Sequence, residues 1–369
     1  MVRVRWVCGL RTAAVLATLI LLGITRNVAG ELQDVRQSSS TQSVAPAAVH
    51  QRRRPPPTYS ARDMPFDERV KFQKGEVDSF CAQYNYTFPT NKRTREALNR
   101  HILVHKEAHV LLCFVPKSGC TTLKVLLYVS QGLLPPSEVA KDKDSVDQLL
   151  LEDVMVRASF LSMTPDEHEQ ALTTYFKFVM YRNPLERMVS VYRSKLSRWP
   201  LLGLKRDTPH FNWARRHIYK YTHPEEYKLW EYDRGVVARN VSFEDFVLYL
   251  TTDPMEFKYD EHFAPTFDLC NPCRVRYDYY GNFNTFEEDA AVLMKRIHAR
   301  PSHLRSSYYQ KNDTTQVVMG QYFSQLDTDL KRKVLHFFAK ELHFYYLLFP
   351  EEAGTHKDIL GLEDDLPPL

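Results

Sequence analysis

The sequence lacks a strong net charge, because 49 lysines and arginines nearly balance 45 aspartates and glutamates and leave a formal charge of +4. That balance does not by itself indicate a nucleic-acid-binding or membrane-surface protein. Internal repeats are also absent, which argues against a repeat architecture. Apolar and aromatic residues are plentiful: 44% of the 369 residues are hydrophobic, including 21 Tyr and 21 Phe. This composition argues against disorder over most of the length and allows one large domain or two ordinary ones.

Long apolar runs are scarce, and the clearest is "TAAVLATLILLGIT" at residues 12–25, preceded by Arg3, Arg5 and Arg11. The run is shorter than the roughly 20 residues that a membrane helix needs. A signal anchor is the favoured interpretation, and a cleaved signal peptide remains open. The positive residues place the amino terminus in the cytosol. In both cases the rest of the chain enters the secretory lumen.

The segment after the leader has the composition of a stem. "QSSSTQSVAPAAVHQRRRPPPTYS" has no apolar periodicity and ends in a stiff proline run. Sequons at Asn85, Asn240 and Asn312 fit a lumenal chain. We expect a cytosolic tail at 1–11, an anchor at 12–25, a stem at 26–75, a folded catalytic domain at 76–352 and a disordered acidic tail at 353–369.

Cysteine is scarce and odd in number on the lumenal side. Besides Cys8, the chain has Cys81, Cys113, Cys120, Cys270 and Cys273, so at least one lumenal cysteine is free or bonds another chain. "CNPC" could form half a zinc site, but no second Cys/His pair stands at finger or ribbon spacing. A disulfide or buried thiols is the favoured interpretation, and no metal is expected.

The stretch "CFVPKSGCTTLKVLLYV" (113–129) indicates a strand, a tight loop and a helix. Pro116 ends the strand, Gly119 permits positive φ, and Thr121 or Thr122 can cap the helix. The helix N-terminus and the Lys117 ammonium point to an anion site, most naturally for phosphate. An ordinary turn that carries a lysine is the alternative. The loop is not a Walker A motif, because the lysine precedes the single glycine; ATP and GTP are therefore disfavoured.

A second strand-loop-helix unit, "TYFKFVMYRNPLERMVSVYRSKL", follows about sixty residues later. Pro184 suits the first turn of its helix. Arg182 at the strand end could fork a phosphate with help from Ser190, or could be a surface ion-pair partner. The helix has an apolar face. That face comprises Leu185, Met188, Val189, Tyr192 and Leu196.

Together the two units predict a parallel α/β sheet flanked by helices. Ligands of such sheets bind outside the carboxyl ends of the strands. We call the loop after each of the two strands, at 116–122 and at 182–190, a phosphate corner. A ligand with two separated phosphate groups, one 5′ and one 3′, would use both corners.

These blocks resemble the Golgi carbohydrate sulfotransferases of the chondroitin and dermatan 4-O and HNK-1 type. "PKSGCTTLK" looks like the family's 5′-phosphosulfate loop, and "RNPLERMVSVYRSK" looks like its 3′-phosphate motif. The blocks at 260–290 and towards the carboxyl end are also similar, so the resemblance covers about residues 76–350. Asn183 replaces the usual acid, Leu185 replaces the usual Phe, and the first loop differs from the commoner "VGCTNWK".

The resemblance implies a P-loop-like sulfotransferase fold and the donor 3′-phosphoadenosine 5′-phosphosulfate, with no metal required. Lys117 would neutralise charge on the leaving phosphate, and Arg182 and Ser190 would hold the 3′-phosphate. The donor-binding positions that it implies are Pro116, Lys117, Ser118, Gly119, Cys120, Thr121, Thr122, Arg182, Asn183, Pro184, Leu185, Glu186, Arg187, Met188, Val189 and Ser190.

A histidine is the predicted general base for the acceptor hydroxyl. His262, in "DEHFAP", lies in a block that resembles the family's, and histidine is the residue type most often used to accept a proton. The alternative is a structural histidine. Glu261 and Asp260 are nearby substitutes.

A basic and aromatic strip at 182–220 holds ten Lys or Arg against two acidic residues. Nucleic acid is disfavoured as its partner in a lumenal chain, whereas an anionic polysaccharide fits. We expect Trp213, Arg215 and Arg216 to bind the acceptor; a solvated basic face is the alternative.

The resemblance implies a single-pass type II protein of the Golgi membrane that transfers sulfate to O-4 of N-acetylgalactosamine in chondroitin or dermatan. A homodimer is an open hypothesis. Glucuronate O-3 and N-acetylgalactosamine of N-glycans are alternative acceptors. An inactive glycan-binding member of the fold is an alternative of another class.

Overall fold

Among the residues that the structure describes, a four-stranded sheet carries helices on both faces. The computed structural model describes residues 60–84, 98–136, 154, 158–197, 217–231, 241–252, 261–300 and 315–367. The strands in these ranges are β1 (Ile102–His105), β2 (Val110–Cys113), β3 (Phe176–Tyr181) and β4 (Tyr279–Asn282). The helices are α1 (Phe66–Gln83), α2 (Cys120–Ser130), α3 (Pro165–Thr174), α4 (Pro184–Val191), α5 (Pro224–Glu231), α6 (Phe243–Thr252), α7 (Thr266–Cys270), α8 (Pro272–Val275), α9 (Phe286–Arg296), α10 (Thr315–Phe323), α11 (Thr328–Leu348) and α12 (Thr355–Leu360).

The sheet is mixed rather than all parallel. Its order is β1-β2-β3-β4, with β2, β3 and β4 parallel and β1 antiparallel to β2. The prediction of a parallel sheet is therefore confirmed for β2, β3 and β4. It is corrected by β1, which is antiparallel. β1 reverses direction because a tight turn at residues 106–109 joins it to β2, whereas a parallel pairing needs a long crossover.

Both faces of the sheet are buried, which explains the nearly continuous apolar runs in the strands. Leu111 and Cys113 of β2 pack into a cluster that includes residues of α1 and α11. Val110 and Leu112 point the other way, into a cluster that includes residues of α2 and α9. This period of two follows from the pleat of the strand.

A third cluster is formed among helices. The predicted apolar face of α4 is confirmed there, because Leu185, Met188 and Val189 are at most 4% exposed and pack with residues of α6, α10 and α11. Tyr192 and Leu196 continue the buried face through one π-helical turn at Tyr192–Leu196.

Two disulfides join distant parts of the chain. Cys81 bonds Cys273, and Cys113 bonds Cys270, so the two cysteines of "CNPC" pair outward rather than with each other. Cys120 is the free cysteine among the described residues. The loops closed are 192 and 157 residues long. Removal of a native disulfide typically costs about 2–5 kcal/mol.

Two expected boundaries differ from the structure. Helix α1 begins at Phe66, inside the expected stem, and its Gln73 Nε2 donates to the Tyr280 carbonyl at 3.0 Å. The expected disordered tail is wrong as far as residue 367, because α12 forms there and Leu360 is 1% exposed. The acidic residues of the tail find basic partners, as Asp364 does with Arg332 at 2.7 Å.

No helix within the described ranges is long and apolar enough to cross a membrane. The expected anchor at 12–25 lies outside those ranges.

Candidate functional site

The first loop leaves the carboxyl end of β2 and enters α2 through two left-handed residues. Lys117 has φ +70° and Gly119 has φ +77°. The helix begins at Cys120 with Gly119 as its N-cap, so the expected capping by Thr121 or Thr122 is wrong. Both threonines lie in the first turn instead. Because the N-cap residue has no side chain, the first-turn N–H groups are not capped by it.

Ser118 sits at the bottom of this loop. Its side chain is 1% exposed, and its Oγ has no hydrogen-bond partner among the described residues. A buried hydroxyl without a partner costs about 1–3 kcal/mol. Pro116 is also buried, whereas Lys117, Cys120 and Thr121 are partly exposed.

Gly119 approaches an aromatic ring that the sequence analysis did not assign to the site. A Cβ at this position would lie far inside van der Waals contact with Phe286 Cε2 at the start of α9. Glycine is therefore required here for its backbone angle and for the close approach of the ring.

We expect Gly119→Ala to lower the free energy of unfolding by about 2–4 kcal/mol, since positive φ and overpacking add their costs. Gly132→Ala is the matched control, because Gly132 has φ +69° and no atom within 4 Å of a built Cβ. The control isolates backbone strain and should cost about 1 kcal/mol. Urea unfolding of both variants measures the difference. Equal losses in both would show that Phe286 does not constrain the loop.

The second corner meets the first through Arg182, at the carboxyl end of β3. Its Nη1 donates to the Lys117 carbonyl at 3.0 Å, and its Nε lies 3.4 Å from Glu186 Oε2. The guanidinium also lies over the Phe283 ring, 4.4 Å from the centroid. Its side chain is 15% exposed. Arg182 thus forms an ion pair with Glu186, and it also contacts the first loop.

Asn183 is the N-cap residue of α4. Its Oδ1 accepts from the Leu185 N–H at 3.0 Å, and Pro184 follows at the first helical position. Its Nδ2 donates to Thr355 Oγ1 of α12 at 3.2 Å. Ser190, two turns into α4, is partly exposed.

Arg187 points inward from α4. Its Nε donates to the Pro116 carbonyl at 2.9 Å and its Nη1 to the Ala264 carbonyl at 2.7 Å. Its Nη2 donates to the carbonyls of Glu261 at 3.1 Å and His262 at 3.3 Å. The guanidinium therefore joins the first loop to the segment that carries the candidate base.

The Glu261 carboxylate is held by His101. His101 Nε2 lies 3.3 Å from Glu261 Oε2, and its Nδ1 lies 2.9 Å from the Phe114 carbonyl. Burial raises the pKa of Glu261, but the hydrogen bond from His101 and the charges of His101, His262 and Lys124 outweigh it and lower the pKa to about 2. A carboxylate of such low pKa is a weak base. Glu261 is thereby disfavoured as a substitute for His262.

His262 is partly exposed and borders the apolar side of α4. With Met188, Phe246 and Phe338 it lines a small cavity. Its main-chain carbonyl accepts from Arg187 Nη2 at 3.3 Å, so the His262 backbone is linked through that guanidinium to the Pro116 carbonyl of the first loop. Asp260, the other substitute, lies outside the described residues.

The turn after β4 completes the site, and sequence reasoning missed its contribution. Phe283 and Phe286 contact the two corners from there. Asp289 holds the turn, because its Oδ2 accepts from the Asn282 N–H at 2.8 Å and from Thr285 Oγ1 at 2.7 Å. The segment "YYGNFNTFEEDA" lies in the block at 260–290 that resembles the family. Nothing in its sequence pattern indicates which aromatic ring faces the first loop.

Several predicted positions lie outside the described residues. They are Trp213, Arg215, Arg216, Asn85, Asn240 and Asn312. Across the described ranges, no group of three or more His, Cys, Asp or Glu residues is placed to hold a metal ion.

The chain is similar in sequence to several known proteins. Carbohydrate sulfotransferase 14 of Danio rerio is 30% identical over 233 residues, which is 62% of this chain and 57% of the relative. The human protein of that name is 33% identical over 214 residues, 57% of this chain and 50% of the relative. Mouse carbohydrate sulfotransferase 8 is 26% identical over 313 residues, 80% of this chain and 66% of the relative.

The matched segment thus spans little more than half the length of the first two relatives. No solved structure matches the chain. The sequence profile of the Sulfotransferase family matches residues 100–347, from the start of the sheet to the end of α11. This chain therefore belongs to the Sulfotransferase family.

Proposed function

We propose that the chain is a carbohydrate sulfotransferase that moves sulfate from 3′-phosphoadenosine 5′-phosphosulfate to a glycan hydroxyl. One observation carries the proposal: Arg182 Nη1 donates to the Lys117 carbonyl at 3.0 Å. That contact joins the ends of two parallel strands, so the two predicted phosphate corners form one continuous surface. A donor with a 5′-phosphosulfate and a 3′-phosphate matches such a surface.

The first loop fits an anionic donor group. The buried Ser118 Oγ has no partner among the described residues, so a ligand oxygen would satisfy it. The glycine N-cap leaves first-turn N–H groups of α2 for an anion, and the helix dipole favours negative charge there. In this proposal, residues 116–122 hold the 5′-phosphosulfate and Arg182, with Ser190, holds the 3′-phosphate. Arg182 would exchange part of its pairing with Glu186 for the ligand.

The chain's own residues supply positioning and charge. The donor brings an activated sulfuryl group, and the acceptor oxygen forms a bond to sulfur as the bond from sulfur to the 5′-phosphate oxygen breaks. Lys117 would neutralise the charge that develops on the departing phosphate oxygen. His262 would accept the proton of the acceptor hydroxyl. The leaving charge can be met by lysine, arginine and backbone N–H groups, so the proposal needs no metal.

The acceptor in this proposal is O-4 of N-acetylgalactosamine in chondroitin or dermatan. Support comes from the motifs that resemble the 4-O type and from the basic, aromatic strip at 182–220, where Trp213, Arg215 and Arg216 would meet an anionic glycan. The names of the relatives say that they are carbohydrate sulfotransferases and do not state which sugar position receives the sulfate. We further propose a Golgi type II membrane location, with a lumenal catalytic domain, and leave a homodimer as a hypothesis.

The test is transfer of ³⁵S from the labelled donor by a lumenal fragment of about residues 60–369 made in a secretory host. Acceptors are desulfated chondroitin, dermatan, heparan and N-glycans, and enzymatic digestion locates the label. We expect label at the 4-position of chondroitin or dermatan. Label elsewhere would keep the reaction and overturn the acceptor. Donor binding without transfer would favour an inactive glycan-binding protein.

A further inference from the structure

We propose that Arg187 is a positioning residue, which holds the segment carrying His262 against the donor loop, rather than a ligand of the donor. The inference rests on the proposed function and changes the role that the family resemblance implied for this arginine. Its basis is the direction in which the guanidinium points and the contacts that it makes.

The guanidinium of Arg187 is committed to backbone carbonyls. Arginine has five N–H groups in a fixed fork, and here Nε, Nη1 and Nη2 each donate to a main-chain oxygen. The residue is 3% exposed, and burial lowers the pKa of Arg187. Arg182, in the same motif, is the more exposed arginine at 15% of its side chain. Arg187 therefore faces the interior with its three nitrogens already bound to main-chain oxygens.

The segment from Glu261 to Thr266 is fastened along its length. His101 contacts the Glu261 carboxylate, and Arg187 binds the carbonyls at 261, 262 and 264. At the far end Glu341 Oε1 accepts from the Thr266 N–H at 2.7 Å. The segment then runs through α7 to Cys270, which is bonded to Cys113 at the end of β2.

Glu341 supports the arginine electrostatically as well as through Thr266. It lies on α11 and is 3% exposed. Burial raises the pKa of Glu341, and the charge of Arg187 opposes that rise. The Glu341 carboxyl in turn favours the charged form of Arg187. Each of the two buried groups therefore favours the charged form of the other.

These contacts tie the backbone of the candidate base to the first loop. Arg187 donates to the Pro116 carbonyl on one side and to the His262 carbonyl on the other. A misplacement of about 1 Å in a reacting group can lower a rate about 100-fold. Loss of the clamp should therefore act mainly on the chemical step through His262, because Arg182 still holds the Lys117 carbonyl of the donor loop.

The main variant is Arg187→Lys, which keeps the charge but cannot reach carbonyls on two segments with one ammonium. Two quantities are measured: kcat for sulfate transfer, and the Kd of 3′-phosphoadenosine 5′-phosphate by calorimetry. We expect kcat to fall about 10- to 100-fold, with Kd unchanged within about threefold. In a double-mutant cycle with His262→Ala, the two effects should be strongly non-additive.

Glu341→Ala provides a second route if Arg187→Lys folds poorly, because it frees the same segment at Thr266. Glu341→Gln retains an acceptor for the Thr266 N–H and is its matched control. We expect the alanine variant to lose kcat at unchanged Kd and the glutamine variant to lose much less of it. Melting temperatures of all variants identify any that are unfolded.

Three results would overturn the inference. They are a Kd that rises more than about tenfold at normal kcat, an Arg187→Lys variant with wild-type kcat, and effects that multiply independently with His262→Ala. A wild-type chain that transfers no sulfate to any acceptor overturns the proposed function instead. The two failures are therefore distinguishable.

Discussion

Lys117→Ala is expected to lower kcat for sulfate transfer by about 10²- to 10³-fold, which is the usual loss when one preorganised group that meets developing charge is removed. The reason is the place of Lys117 at the carboxyl end of β2, beside a helix start whose N-cap has no side chain. Because the charge grows as the bond to sulfur breaks, kcat should fall more than the affinity for the donor product does. Steady-state kinetics and calorimetry with 3′-phosphoadenosine 5′-phosphate separate the two effects.

Two controls accompany this variant. Lys71→Ala removes an exposed lysine from α1 and so reproduces the change in net charge. We expect its kcat to remain within about twofold of wild type, as distant surface changes normally do. Lys117→Gly tests the backbone, since Lys117 has φ +70° and glycine adopts that angle freely. If the glycine variant were as active as wild type, the ammonium would have no role in the reaction.

His262→Ala is the second large effect, with an expected loss in kcat of about 10²- to 10⁴-fold, the usual contribution of a general base. The neighbouring Glu261 carboxylate, whose pKa is lowered to about 2, is a weak base and should not replace the missing imidazole. Steady-state kinetics of both proteins measure the loss in kcat.

His336→Ala is the matched control, since His336 is exposed on α11 and far along the chain from the motif. It should keep the wild-type rate. The affinity of the His262→Ala variant for 3′-phosphoadenosine 5′-phosphate should equal that of wild type. Near-normal turnover in this variant would show that His262 is a structural residue.

Local signals predicted the two strand-loop-helix units well. β2 and β3 are short apolar runs followed by Pro116 and by the pair Arg182–Asn183. The helix after β3 starts at Pro184 as predicted, whereas the helix after β2 is capped by Gly119 and not by a threonine. The burial of the α4 face followed from its 3.6-residue spacing. Such features depend on residues that are neighbours in the sequence, so a single sequence can reveal them.

Contacts between distant segments could not be predicted in the same way. The partners of Cys113 and Cys81 lie 157 and 192 residues away, and several pairings satisfy the cysteine count. Arg187 stands in the same motif as Arg182, and only the packing of α4 shows that one guanidinium faces inward. The acidic composition of the tail indicated disorder, whereas the buried Leu360 decided the outcome.

The most direct measurement compares how tightly wild type and Arg182→Ala bind 3′-phosphoadenosine 5′-phosphate and adenosine 5′-phosphate, which lacks the 3′-phosphate. If both corners grip one donor, wild type should prefer the first ligand by about 10- to 100-fold, the worth of charge-assisted hydrogen bonds to one phosphate. Arg182→Ala should lose most of that preference and bind adenosine 5′-phosphate almost normally. Equal affinity of wild type for the two ligands, or an equal loss for both in the variant, would contradict the two-corner donor site.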